Sequence, residues 1–262
     1  MLDYILILSI SGLFSGLLAG VLGIGGGAIL VSLLLAFKNT PLQAVATSSM
    51  AIVIIASSGS LQNRRMGNLN LQKVFLLGIP AMVTAQFGVK IANYIPEYWL
   101  LLLFSILLTF NIFLYSYRHY LTKAIYQNNN SVFAHYFLSL FTGGVGGLLA
   151  GLFGIGGGVI MVPLQILLLR ETMQISIQNS LGVIFITSIS SSIGHALNDN
   201  VLWLTGLILG CGGVLGVQMG TRLLSKLSNT MVTFGFHFVS IIISIYTFRQ
   251  AWFSYLNFLE IN

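Results

Sequence analysis

Along the chain, nearly unbroken apolar stretches of about 18 to 22 residues alternate with short polar breaks, the length a helix needs to cross a hydrocarbon core of roughly 30 Å. The stretch Trp99 to Phe110, WLLLLFSILLTF, is apolar on every face, unlike the alternating strands of a membrane β-barrel. The pattern predicts an all-α polytopic membrane protein. In the first half it predicts helices over Tyr4–Leu22, Leu42–Leu61, Val74–Ile95 and Tyr98–Tyr117, with a short apolar piece over Ala28–Phe37. The second half predicts Val132–Phe153, Ile175–Gly194, Val201–Thr221 and Met231–Phe248, with a short piece over Val159–Leu169.

The two halves share one plan. GLLAGVLGIGGG, Gly16 to Gly27, returns as GLLAGLFGIGGG, Gly147 to Gly158, with ten of twelve positions identical at an offset of 131. Further on the offset is 132: Ser48 matches Ser180, Asn68 matches Asn200, Gln86 matches Gln218, and Lys90 matches Arg222. The chain therefore reads as a duplication, with a first membrane repeat over 1–122, a polar connecting loop over 123–131 and a second membrane repeat over 132–262.

Whether each short piece continues across the membrane or turns back decides the topology, and charge arbitrates, because cytoplasmic loops collect Lys and Arg. Continuation divides the basic residues six against five and orients nothing. Turning back puts Arg64, Arg65, Lys73, Arg118, Lys123, Arg170, Arg222 and Lys226 on one face and leaves Lys38, Lys90 and Arg249 on the other. The second scheme gives about five helical segments per half, two inverted repeats and both termini outside. Ten or eleven helical residues rise only about 15 Å, so the short pieces are expected to be half-helices whose glycine turns lie at membrane depth.

Composition changes this picture little. Of 262 residues, 56% are hydrophobic and 6% charged, too few charges to cover a water-facing surface. The start, Met1-Leu2-Asp3-Tyr4, has no basic n-region, so the first apolar stretch is expected to remain as a span. The net charge of +6 is scattered at the ends of apolar runs, which reads as topology and excludes nucleic acid as a partner. Cys211 is the single cysteine, so neither an intrachain disulfide nor a cysteine-based metal cluster is expected, and no cofactor. The expected location is the cytoplasmic membrane, with the bilayer and a small anion as partners and a homodimer left open.

The candidate chemistry lies at Gly23-Ile-Gly-Gly-Gly27 and Gly154-Ile-Gly-Gly-Gly158. Each glycine costs about 1 kcal/mol relative to alanine in a helix, and broken backbone at membrane depth survives only when buried in protein or lining a cavity. The first amides of the short helices, with their dipoles, suit an anion. Substrate contacts are therefore placed at Gly23, Gly25, Gly26, Gly27, Gly154, Gly156, Gly157 and Gly158; the competing reading is close helix packing. Thr47 and Ser48, with Asn179 and Ser180 at matched places, supply further donors, or bond their own helices. Gln86 and Gln218 are pathway candidates or interhelical glue. Lys90 and Arg222 attract anions or snorkel, and His195 carries a proton or faces interfacial water. The letters Gly23-x-Gly25-x-x-Ala28 also match a dinucleotide fingerprint, but no strand precedes them.

On the paired GLLAG-x-x-GIGGG motifs, followed by Val31-Ser32 and Val162-Pro163 and then Ala46-Thr47-Ser48, the chain resembles the TauE/SafE sulfite exporter family essentially end to end. The resemblance implies a transporter, and by direction an exporter, of a small sulfur-containing anion such as sulfite or an organosulfonate. The family's glycine motif maps onto both turns, and its Thr-Ser pair onto Thr47 and Ser48, matched by Asn179 and Ser180. Ser32 stands where a proline is usual, Asn179 where a threonine is usual, and Asp199 where a glycine is common. Two rivals from other classes are an intramembrane hydrolase using Ser58 or Ser60 with His195, which needs hydroxyl and imidazole about 3 Å apart, and a scaffold without transport.

Overall fold

A computed structural model describes residues 2–116 and 132–261; the connecting loop over 123–131, with Arg118 and Lys123, lies outside the described residues. Among the described residues the chain is helical throughout. The first half holds α1 (Leu2–Leu22), α2 (Gly27–Ala36), α3 (Pro41–Arg65), α4 (Leu71–Tyr94) and α5 (Glu97–Ser116). The second holds α6 (Val132–Phe153), α7 (Gly158–Leu168), α8 (Met173–Ala196), α9 (Trp203–Leu224) and α10 (Asn229–Ile261). All ten predicted segments are present. The largest difference is α10, which runs well past Phe248 because Arg249 and Gln250 interrupt its hydropathy without breaking its helix. Arg249 lies 5.4 Å over the Phe253 ring, and Gln250 donates to the Tyr246 hydroxyl at 3.0 Å.

Local chemistry sets the boundaries. Thr40 and Gln43 form a reciprocal capping box ahead of Pro41 and so start α3, while Asn70 and Thr172 cap α4 and α8. The connections α3–α4 and α8–α9 use one turn: Gly67 has φ 74° and its counterpart Asp199 has φ 54°. Aspartate is one of the few side chains that visits this left-handed region, which is how the second half does without the glycine.

Seven described helices are long and apolar enough to cross a membrane: α1, α3, α4, α5, α6, α9 and α10. Helix α8 is as long but carries Gln174, Gln178, Asn179 and a run of serines, and it is the most enclosed of the long helices. Its polar side chains are hidden from lipid by α3, α4 and α7, which pack around it.

The directions of the helices follow from which residues meet. Glycines 12, 16 and 20 of α1 face Leu209, Gly213 and Val217 of α9 in the same order, so the two run parallel at a separation no side chain permits. Gly143, Gly147 and Gly151 of α6 meet Leu77, Ala81 and Ala85 of α4 in the same way. Gln218 donates to Ser58 at 3.1 Å, joining α9 parallel to α3, and Gln86 donates to the Ser190 carbonyl and hydroxyl at 2.6 and 2.8 Å, joining α4 parallel to α8. Helices α3 and α8 are antiparallel, since Ser49 meets Ser191 at 3.1 Å while Asn63 reaches the Gln178 carbonyl at 3.2 Å. Thus α1, α3 and α9 run one way and α4, α6 and α8 the other. On the outside, α5 and α10 pair antiparallel, with Tyr98 against Tyr255 and Thr109 bonded to Ser244 at 2.8 Å.

The short pieces turn back. Ser15, in the middle of α1, donates to the Gly26 carbonyl at 2.9 Å, and the Phe37 ring beyond α2 rests 5.7 Å from that of Tyr4 at the start of α1. With this course, Arg64, Arg65, Lys73, Arg170, Arg222 and Lys226 fall at one end of the bundle, and Lys38, Lys90 and Arg249 at the other.

Candidate functional site

The chain leaves α1 at Gly23 and α6 at Gly154, and both turns fold back to where α3 and α8 cross, against Ile52 and Ile184. Gly26 and Gly157 occupy the N-cap positions of α2 and α7 with φ 70° and 80°, a conformation that costs roughly 1–2 kcal/mol for a residue with a Cβ. The two turns touch: a methyl on Gly158 would run into the Gly23 carbonyl, and one on Gly27 into Ile155 and the Gly154 carbonyl. All of Gly23–Ala28 and Gly154–Ile160 are buried.

Three carbonyls of the turns accept from hydroxyls: Gly26 from Ser15, Gly154 from Ser48 at 2.7 Å, and Gly156 from Thr187 at 3.0 Å. The Gly23 and Gly154 amides bond back to the Ala19 and Ala150 carbonyls at 2.9 Å, whereas those at the starts of the short helices do not pair. The first hydrogen bonds of α2 start at Ile29 and those of α7 at Ile160, both into the cap carbonyl. The N–H groups of Gly27, Ala28, Gly158 and Val159 find no acceptor among the described residues, as expected of a helix start without a side-chain cap. Two dipole-aligned donor sets thus face each other's turns in an apolar surround of Ile52, Ile155 and Ile184.

The remaining predicted residues have identifiable posts. Thr47 accepts the Leu202 amide at 3.0 Å and Asn179 accepts the Asn70 amide at 3.0 Å; these amides open α9 and α4 and are themselves counterparts. Ser48 bridges to the opposite turn, whereas its counterpart Ser180 accepts from Gln165 at 2.8 Å. Gln86 and Gln218 tie helices together in matching bonds. Lys90 and Arg222 are exposed near the ends of α4 and α9 and are not brought to the turns. His195 is fully buried and its Nε2 pairs with the Gly151 carbonyl at 3.0 Å. Ser58 and Ser60 lie toward the opposite end of the α3–α8 pair from His195, about 20 Å away at 1.5 Å per residue, so that hydrolase pairing is not formed.

Sequence reasoning missed Asn63, Gln165 and Thr187, all fully buried. For Gln165 and Thr187 the signal available was an amide or hydroxyl inside an apolar segment; Gln165, inside VPLQILLL, is the plainer case.

The Sulfite exporter TauE/SafE family model matches residues 8–247. Similar proteins include the probable membrane transporter protein YunE of Bacillus subtilis, 25% identical over 95% of this chain and 98% of that protein. The probable membrane transporter protein YdhB of the same organism is 27% identical over 82% and 87%, and a probable membrane transporter protein of Xylella fastidiosa 28% identical over 92% and 94%. No solved structure matches. With the match covering nearly the whole bundle, both glycine turns included, this chain is a membrane transporter that belongs to the TauE/SafE sulfite exporter family.

Proposed function

We propose that the protein is a secondary transporter that exports a small sulfur-containing oxyanion, sulfite or an organosulfonate, across the cytoplasmic membrane. The anion is held between the two glycine turns by Gly23, Gly25, Gly26 and Gly27 and by Gly154, Gly156, Gly157 and Gly158, flanked by Thr47, Ser48, Asn179 and Ser180. The observation that carries this reading is the buried start of each half-helix: hydroxyls cover the Gly26, Gly154 and Gly156 carbonyls, while the amides of Gly27, Ala28, Gly158 and Val159 find no acceptor among the described residues. Unpaired buried donors cost free energy, and an anion at two half-helix N-termini near the midplane is the usual resolution in transporters built from inverted repeats.

Inverted topology is supported by the opposite directions of counterpart helices, and the basic end of the bundle supports both termini lying outside under the positive-inside rule. The turns are in contact, so an anion enters only when the halves part, first toward one face and then the other. The family name supports sulfite and the relatives' names support transport.

Flux in proteoliposomes loaded in turn with sulfite, taurine, sulfoacetate, thiosulfate and sulfate, with and without a proton gradient, tests the reading. Movement of at least one sulfur anion above protein-free vesicles is expected. Failure of every anion to move in a folded preparation refutes it.

A further inference from the structure

His195 stands where the second broken helix ends. The last backbone bond of α6 runs from the Gly154 amide to the Ala150 carbonyl at 2.9 Å, so the Gly151 carbonyl is the first that the break leaves without an amide among the described residues. His195 donates Nε2–H to it at 3.0 Å. A carbonyl only accepts, so Nε2 carries the proton and Nδ1 keeps a bare lone pair, buried and without a donor among the described residues. The residue has no exposed surface at all. Its carbonyl partner also lies beside the start of α7, since a methyl on Gly157 would come 3.4 Å from the Ala150 Cβ. The imidazole thus holds the carbonyl end of one helix, on the order of 10 Å from the uncovered amides that begin the next.

Two features favour an imidazolium at this place. The carbonyl end of a helix carries partial negative charge and stabilises a cation beside it. A proton also satisfies the lone pair at Nδ1, turning it into a second donor. The duplication shows that the fold does not require a histidine here. The counterpart of His195 is Asn63, also fully buried, which donates to the Gln178 carbonyl at 3.2 Å and not to Gly20, the counterpart of Gly151. An amide fills the matched place in the first half, and only the second half has a group there that exchanges a proton. No other charge faces the ring. Helix α7 and the rest of α8 have no acid or base, and Lys90 and Tyr94 of α4 and Asp199 after α8 are exposed. Arg64 and Arg65 of α3, His135 of α6, Arg170 and the Lys73–Glu171 pair are at the opposite end of the bundle.

We infer that His195 is the proton-binding site of transport, and that its proton and the anion at the second glycine turn bind together. The inference rests on the transport reading above and names its coupling ion. A single charge in a buried site is costly, whereas opposite charges brought in together offset one another. At an effective dielectric constant of about 20, unit charges about 10 Å apart tighten each other's binding by about tenfold. A proton and a monoanion then cross as a neutral pair, each exchanging with water when the halves part. Export proceeds whenever the outward anion gradient exceeds the inward proton gradient.

The test follows flux of sulfite and of ethanesulfonate through the reconstituted full chain between about pH 5 and about pH 8, the range in which histidines exchange protons. Half-saturation of the wild type is expected to rise about tenfold across that range, because the proton that tightens the anion is lost as pH rises. His195→Gln keeps an amide donor for the Gly151 carbonyl but exchanges no proton. It should transport with half-saturation near the wild-type value at high pH and without the rise. Any titration of the anion itself is common to both proteins and cancels in their ratio. A pH-sensitive dye trapped in the vesicles should show proton uptake per anion about one lower in the variant. His195→Asn, the residue type of the first half, gives the same reading if His195→Gln does not fold, with melting temperature in detergent identifying the folded preparations. A purely structural histidine shifts melting temperature and maximal flux but leaves the ratio of half-saturations constant with pH. That constant ratio, or a pH-independent wild-type constant for ethanesulfonate, whose charge does not change over this range, overturns the proton site and leaves the transport reading standing. A wild type that moves no sulfur anion overturns both.

Discussion

Replacing Gly26 with alanine separates the strain of the turn from its packing, because Gly67 provides the same backbone in open space. Gly26 has φ 70° and Gly67 φ 74°, so alanine pays a similar conformational penalty of roughly 1–2 kcal/mol at each. Around Gly67 nothing lies within 4 Å of the added methyl. At Gly26 the methyl lies 2.8 Å from the Ser15 carbonyl oxygen and collides with the Ser15 hydroxyl. That pushes α1 away from the turn and breaks the bond from Ser15 to the Gly26 carbonyl, which adds roughly 2–3 kcal/mol. A total of roughly 3–5 kcal/mol is a large part of the stability of an ordinary domain but leaves a folded population. Thermal unfolding in detergent should therefore show a small loss for Gly67→Ala and a loss about two to three times larger for Gly26→Ala. Flux should be kept in Gly67→Ala and lost in Gly26→Ala, because the displaced turn no longer presents the Gly27 and Ala28 amides together. Equal destabilisation by the two substitutions, or full flux in Gly26→Ala, would refute the assignment of tight packing and donor presentation to this turn.

Three further outcomes follow from the same geometry. Gln86→Leu and Gln218→Leu remove matched interhelical bonds and should each cost about 0.5–2 kcal/mol in unfolding without changing half-saturation; a changed constant would return these glutamines to the pathway. Glu171→Gln removes the charge that pairs with Lys73 at 2.6 Å, where Glu171 is 5% and Lys73 35% exposed. The loss is expected to be about 1–2 kcal/mol, discounted for the solvated lysine, and no loss would mean that the pair does not fasten the α7–α8 connection to α4. With the exposed Cys211 changed to alanine, single cysteines at Asn68 and Asp199 should label from opposite faces of the membrane, and labelling from one face would overturn the inverted arrangement.

Hydropathy and the internal repeat made most of the fold legible. Ten helical segments, two glycine breaks and their matched registers follow from one periodicity and one duplication. The turning back of α2 was recoverable only through loop charge, since ten apolar residues read alike in either direction; the contacts of Ser15 with Gly26 and of Tyr4 with Phe37 decide it. Within the motif the two kinds of glycine were indistinguishable by letters. Gly16 and Gly20 let α1 approach α9, whereas Gly26 sets a left-handed cap, and only the partner of each tells them apart. The site was less legible for a related reason. Thr47 and Asn179 were visible as a matched polar pair, but their bonds to the first amides of α9 and α4 depend on residues 155 and 109 positions away. Asn63 at the end of a helix beside Arg64 reads as an interfacial residue, and only the antiparallel crossing of α3 and α8 buries it.

The bonds that recur in both halves and those that do not sort by position. Gln86 with Ser190 and Gln218 with Ser58, or Thr47 with Leu202 and Asn179 with Asn70, join one helix to another and recur in both halves. At the turns the symmetry breaks. Ser15 has Gly146 as its counterpart, Thr187 has Ile55, and Ser180 bonds Gln165 where Ser48 bonds the opposite turn. If the glycines existed only to let backbones pack, the groups covering them would have been free to diverge in every respect, donors as well as acceptors. Instead the covering of carbonyls diverges, while the pair of uncovered amides at the start of α2 and of α7 recurs. A buried donor without an acceptor costs free energy, and the proposed anion, shared between the two helix starts, would offset that cost in both halves at once.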